Sequence, residues 1–226
     1  MRTNGRWFRI SLTMLALPLI FAVFAVSAGA GGDDHKGTTY RWDIVKITSF
    51  NPVTAFEGGF ASALANDGSR ITVTGNGTFE PREPDEVTGG GNWITYAPDG
   101  TTVTGNGTYR VQQLVRFDVA PGFANAGNID NIPGAKGDLT DNRGGLLFVR
   151  IAYSDGSKGV LVVSCHLGGG PDFVARPPSP AGIFEGITAS KGYVDYWNRV
   201  PPIVSPVPVD GNRTLFHILS QDEKKD

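Results

Sequence analysis

A single cysteine stands among 226 residues, so no internal disulfide can staple this chain. Cys165 lies in the run Val-Leu-Val-Val-Ser-Cys-His-Leu, which reads as a buried strand, and it is expected as a small core residue rather than a nucleophile. The three histidines, His35, His166 and His217, show no metal-ligand spacing. Cys165 and His166 are neighbours on a strand, point to opposite faces and do not form a pair. There is no Gly-x-Ser-x-Gly elbow, no His-Glu-x-x-His and no phosphate loop. No catalytic residue, resident metal or cofactor is therefore expected from motifs. No basic stripe interleaves with the aromatics, which argues against nucleic acid. After the first thirty residues there is no convincing amphipathic helix.

What is present begins with a leader. Arg2, Arg6 and Arg9 precede an apolar run from Ile10 to Val26, and Ala28-Gly29-Ala30 follows as a small-x-small site. That order predicts a secretory signal peptide over residues 1–30 and an exported product: periplasmic, extracellular or at the cell surface. The alternative is an uncleaved membrane anchor, because the run is close to spanning length. Without the leader, 17 basic residues remain against 22 acidic ones, and no membrane segment is expected. Hydrophobic residues make up 40 % of the chain, enough for a packed core. Residues 31–37 read as a flexible lead, 38–220 as one domain and 221–226 as a charged tail. Asp33, Asp34 and His35 would offer a metal site only if trimming made them the amino terminus.

Period-two alternation sets the fold class. The segment Thr72–Phe79 recurs at Thr102–Tyr109, and both copies carry Gly-Asn-Gly-Thr-aromatic. In the longer strand, Val103, Gly105, Gly107, Tyr109, Val111, Val115 and Phe117 share one parity, with Gln113 and Leu114 as the exceptions. Pro98-Asp99-Gly100 supplies the preceding turn, and the simplest register puts Trp93 over Gly105. Tyr40, Trp42 and Ile44 alternate against Arg41, Asp43 and Val45 in a first strand. Thr54 to Leu64 reads as a second, with a bulge at Gly58-Gly59. Ser154-Asp155-Gly156-Ser157 turns a hairpin from Leu146 to Leu167. A two-residue turn pairs Arg150 with Leu161 and Phe148 with Val163, whereas a three-residue turn shifts the register by one. Ile183 to Asn198 reads as a closing strand and Arg213 to Leu219 as the last. The sum is an all-β fold: a single antiparallel β-barrel of about eight strands in meander order, with long loops.

Two regions are candidates for function. The stretch Val119 to Gly145 holds Asp130, Asn131, Asp138, Asp141, Asn142 and Arg143. A calcium site is the alternative there, but the spacing matches no EF-hand loop and the stretch reads as a solvated loop. On the closing strand Glu185, Lys191, Tyr193, Asp195 and Trp197 share a parity. With Arg150 and Gln113 they are the candidate ligand-binding residues at a barrel mouth. Arg150, on a largely apolar hairpin, is expected to be buried and paired with Asp195, Glu185 or Asp43.

The two motifs Gly75-Asn76-Gly77-Thr78-Phe79 and Gly105-Asn106-Gly107-Thr108-Tyr109, with the meander order, resemble the allene oxide cyclase and dirigent barrels. That resemblance implies a hydrophobic barrel cavity that binds or steers a small apolar molecule. None of the family's catalytic residues is matched, so none is carried over. The sequence thus points to a secreted binding module for a small apolar or amphipathic ligand. A cyclase- or isomerase-type enzyme using the same cavity, and a filled-barrel interaction domain, stand as alternatives.

Overall fold

Alternation decides where the strands lie, and glycine decides where they break. The computed structural model describes residues 37–50, 52–120, 129–135, 141–165, 185–202 and 211–221. The expected leader, His35, His166, Asp138, Ile183 and residues 222–226 of the tail lie outside these. In chain order the strands are β1 (Thr38–Phe50), β2 (Val53–Glu57), β3 (Ala61–Leu64), β4 (Arg70–Val73), β5 (Asn76–Phe79), β6 (Gly90–Tyr96) and β7 (Val103–Ala120). There follow β8 (Ile129–Asp130), β9 (Asn142–Tyr153), β10 (Lys158–Cys165), β11 (Gly186–Lys191), β12 (Val194–Tyr196), β13 (Asn198–Arg199) and β14 (Thr214–Gln221). No helix occurs among the described residues.

The closed ring has six strands, not about eight. It runs β1–β5–β6–β7–β9–β14 and back to β1, every pair antiparallel. The other strands lie outside it. β10, β11 and β12 extend the sheet from β9, β4 and β3 extend it from β6, and β2 with β8 covers β1 from outside. Inward residues form one continuous core. At the centre sit Tyr40, Phe79, Phe117 and Phe216. Their rings are 4.7 Å apart for Phe79–Phe117, 4.9 Å for Tyr40–Phe117 and 5.1 Å for Phe117–Phe216. Contacts of this kind add about 0.5–1.5 kcal/mol each beyond their burial.

The parity exceptions in β7 mark its bulges. The ladder to β9 slips between Val111 and Gln113 and again between Leu114 and Arg116. Each slip adds a residue, so Tyr109, Val111, Leu114 and Phe117 all face inward although their parities differ, while Val115 is exposed. The first copy of the repeat breaks where the second runs on. Gly75 has φ 150°, and a side chain there would meet the Tyr109 hydroxyl and the Gly90 carbonyl. β4 therefore pairs with β3, and β5 pairs with β1.

Two registers differ from expectation. The hairpin at Asp155 pairs Arg150 with Val160 and Phe148 with Val162. Gly156 takes φ 88° and Tyr153 receives the return bond from its N–H, so the turn is the longer, bulged kind and the register moves by one. Trp93 pairs with Gly107, while Gly105 faces Thr95. The indole still covers both glycines, because a Cβ on either would lie 3.1 Å from its ring.

Trp93 is buried, donates from Nε1 to the Thr108 carbonyl at 3.1 Å and meets Tyr153 edge-on at 5.6 Å. Trp93→Ala is expected to cost roughly 3–5 kcal/mol of stability. Denaturant melts measure it, and a cost below about 1 kcal/mol would contradict this packing.

Candidate functional site

The barrel-mouth constellation does not assemble. Gly192, at φ 60°, turns the chain with Tyr193, so the expected closing strand is a hairpin of β11 and β12. Beyond the turn the parity reverses. Asp195 sits opposite Ser190 and is exposed, Tyr193 is fully exposed at the tip, and Trp197 is exposed past β12. Lys191 stays inward and caps one end of the core. Its ammonium lies 4.2 Å from the Trp93 ring centre and 5.1 Å from that of Tyr153, and it pairs with Asp155.

Glu185 is buried just before β11, at the opposite end of that strand from Lys191. It accepts from the Thr214 N–H at 2.6 Å and the Thr214 hydroxyl at 3.1 Å. Burial pushes the Arg213 guanidinium down to about 10 against the pull of Glu185, and it also lowers Arg199. Burial, and then the Glu185 charge, drive the Cys165 thiol well up, so this cysteine is a packed core group.

Arg150 is exposed, and its expected burial with a carboxylate is wrong. The one-residue register shift and the first β7 bulge together explain this. Arg150 faces Val160 and Gln113 on the outward side of the sheet, while Glu185 and Asp43 are buried elsewhere. The bulge leaves Gln112 and Gln113 side by side in an open groove of about 530 Å³ with Asp85, Arg150, Lys158 and Val160. The Leu114 N–H donates to the Pro84 carbonyl at 3.0 Å and holds the loop that bears Asp85 against the groove.

A denser polar group lies outside the ring, beneath β2 and β8, where sequence reasoning expected a solvated loop. Arg41 grips Asp43 with two 2.8 Å hydrogen bonds and reaches Glu57 at 2.9 Å and the Pro133 carbonyl at 3.2 Å. Burial raises the Asp43 carboxyl, and Arg41 pulls it back. The register places His217 opposite Arg41 on one side and Asn142 on the other, so all three stand on one face. His217 Nδ1 lies 2.9 Å from Asp130 Oδ2, and Nε2 lies 3.8 Å from Asp43 Oδ2. Asp141 completes the group: one ligand atom from each of Asp130, Asp141 and His217 lies within 4.8 Å of the others. The sequence separates these residues too widely to show them as a set. Only the unusual density of Asp and Asn between Asp130 and Asn142 hinted at it.

At the Lys191 cap, the salt bridge and the Ser157 hydroxyl hold the Asp155 carboxyl down at about 2 against an ordinary 3.8. A lowered acid stabilises the fold above its unfolded value, and that stability is lost as pH falls through the folded value. Asp155→Asn should therefore flatten the loss of thermal stability between about pH 4 and pH 2. At pH 7 it should cost less than about 1 kcal/mol, since Asp155 is exposed. Melting temperatures against pH measure both, and an acid limb identical to wild type would contradict the pairing.

No protein-family model, curated protein or solved structure matches this chain.

Proposed function

We propose that the domain is an exported binding module that holds a small amphipathic molecule with an anionic head on the outside of a filled barrel. The observation that carries this reading is the groove at the β7 bulge. Arg150 and Lys158 stand exposed there, and among the described residues neither has a carboxylate partner. Such cations are ready for an anionic head, and charge-assisted hydrogen bonds are the strong ones. The Gln112 and Gln113 amides and the Val160 side chain supply polar and apolar contacts beside them. At about 530 Å³ the groove is of a size that takes small ligands. The interior cavity implied by the barrel resemblance has the rings of Tyr40, Phe79, Phe117 and Phe216 in its place, which favours an outer site.

A second reading, an interaction domain of the cell surface, draws on a different observation. In and just past the β11–β12 hairpin Tyr193, Val194 and Trp197 are all exposed. Exposed apolar groups on neighbouring residues supply the apolar area that contact surfaces use.

A medium-chain carboxylate such as decanoate is the probe. Wild type is expected to bind it, and Arg150→Ala and Lys158→Ala should each weaken binding about tenfold or more. Melting temperatures should be unchanged, because both side chains are exposed. Loss of binding in Tyr193→Ala or Trp197→Ala instead, with both cation variants normal, transfers the site to the hairpin. Binding insensitive to all four changes, or none by wild type, overturns the groove.

A further inference from the structure

We infer that Asp130, Asp141 and His217, with Asn142 beside them, hold one divalent transition-metal ion under the outer layer of the barrel. The three ligand residues come from β8, the residue before β9, and β14. They are 4 %, 2 % and 0 % exposed. His217 Nδ1 and Asp130 Oδ2 are 2.9 Å apart, yet neither atom has a hydrogen-bond partner: the ring N–H does not point at the oxygen. Two ligands at right angles on an ion with bonds of about 2.1 Å sit about 3 Å from each other. The spacing is thus that of neighbours on a shared ion.

Asn142 is the independent observation. It is 0 % exposed, and neither its amide oxygen nor its amide nitrogen has a partner. It stands directly opposite His217 in the β14–β9 ladder, so its side chain rises from the same face. Buried amides are almost always hydrogen-bonded, and one left bare beside a histidine and two carboxylates needs a ligand. A cation takes the amide oxygen as a further hard donor.

The remaining chemistry agrees. Asp43 lies 3.8 Å from His217 Nε2, a buried carboxylate behind the ring though beyond hydrogen-bond reach, and Arg41 fixes that carboxylate. Two aspartates with a neutral imidazole match a charge of two. The imidazole favours zinc over calcium or magnesium, which prefer all-oxygen sites, while the two carboxylates and the amide oxygen also suit manganese. With ligands this deeply buried the ion acts as a clip. It ties the segment from Ile129 to Ala135, which packs through buried Ile132 and bonds to Ala55, onto β9 and β14.

The test uses the untagged full chain, stripped with chelator and titrated with zinc or manganese by calorimetry and thermal melting. One equivalent should bind, and the melting temperature should rise by about 5–10 °C at free metal near a hundred times Kd. Asp130→Asn should weaken binding at least about a hundredfold and Asn142→Ala about tenfold. His35→Asn should change nothing, which separates this site from the amino-terminal segment. Where a ligand variant does not fold, cobalt is added to the chain carrying His35→Asn and His166→Asn. Its sole imidazole should then show a paramagnetically shifted ring proton. No binding by wild type, equal affinity in Asp130→Asn, or an unshifted His217 overturns the inference.

Discussion

Among the described residues two ladder pairs, Phe216 with Arg143 and His217 with Asn142, join β14 to β9 and close the ring, extended by the Ile218 N–H donating to the Asp141 carbonyl at 2.9 Å. So short a ladder contributes little by itself, and both faces around it are accordingly specialised. Inside, Phe216 meets Phe117 and Phe79, so the seam is held by aromatic packing. Outside, His217 and Asn142 belong to the buried polar group covered by β2 and β8. The opposite weak seam, where β5 meets β6 through Asn76 and Gly90 alone, is closed differently. There the bare glycines let the backbones approach, and the Tyr109 hydroxyl donates across to the Thr74 carbonyl at 2.8 Å.

A ring of six strands filled by rings from β1, β5, β7 and β14 directs chemistry outward. Of the ring's own charged residues, Arg143 stands opposite Phe216 on the inner face, while Lys191 over Trp93 and Glu185 with Thr214 belong to the outer extension through β11. The outward face carries the bulge that forms the groove and the polar group under β8. The same device, an extra residue in β7, keeps Leu114 and Phe117 in the core and places Gln112 and Gln113 at the surface.

The fold class, most strands and the core faces were legible because alternation is a local property of the sequence. The exceptions at Gln113 and Leu114 were visible in the sequence, but only the ladder to β9 shows them to be bulges. Registers were less legible. Whether Asp155-Gly156 turns in two residues or three depends on the φ that Gly156 adopts, and that step changed the partner of Arg150 from Leu161 to Val160. The closing strand failed at Gly192, where a single left-handed residue reversed the chain and scattered Tyr193, Asp195 and Trp197. Asp130 and Asp141 were legible only as members of an acidic stretch, and their meeting with His217 was not legible at all. Their proximity follows from how β14 seats between β1 and β9, and nothing in their spacing encodes that.

The pairing of β1 with β14 also has a kinetic meaning. The first and last strands of the ring are sequence-distant partners, so its closure is a contact of very high sequence separation. Loop-closure entropy must be overcome before that contact stabilises anything, which slows folding. Hairpins such as β9–β10 can form early, but until β14 arrives the first half of β1 presents a bare edge to any extended chain nearby. The open-ring state is therefore where this protein is most prone to pair with copies of itself, and dilution during refolding matters more for it than for a barrel closed by neighbouring strands.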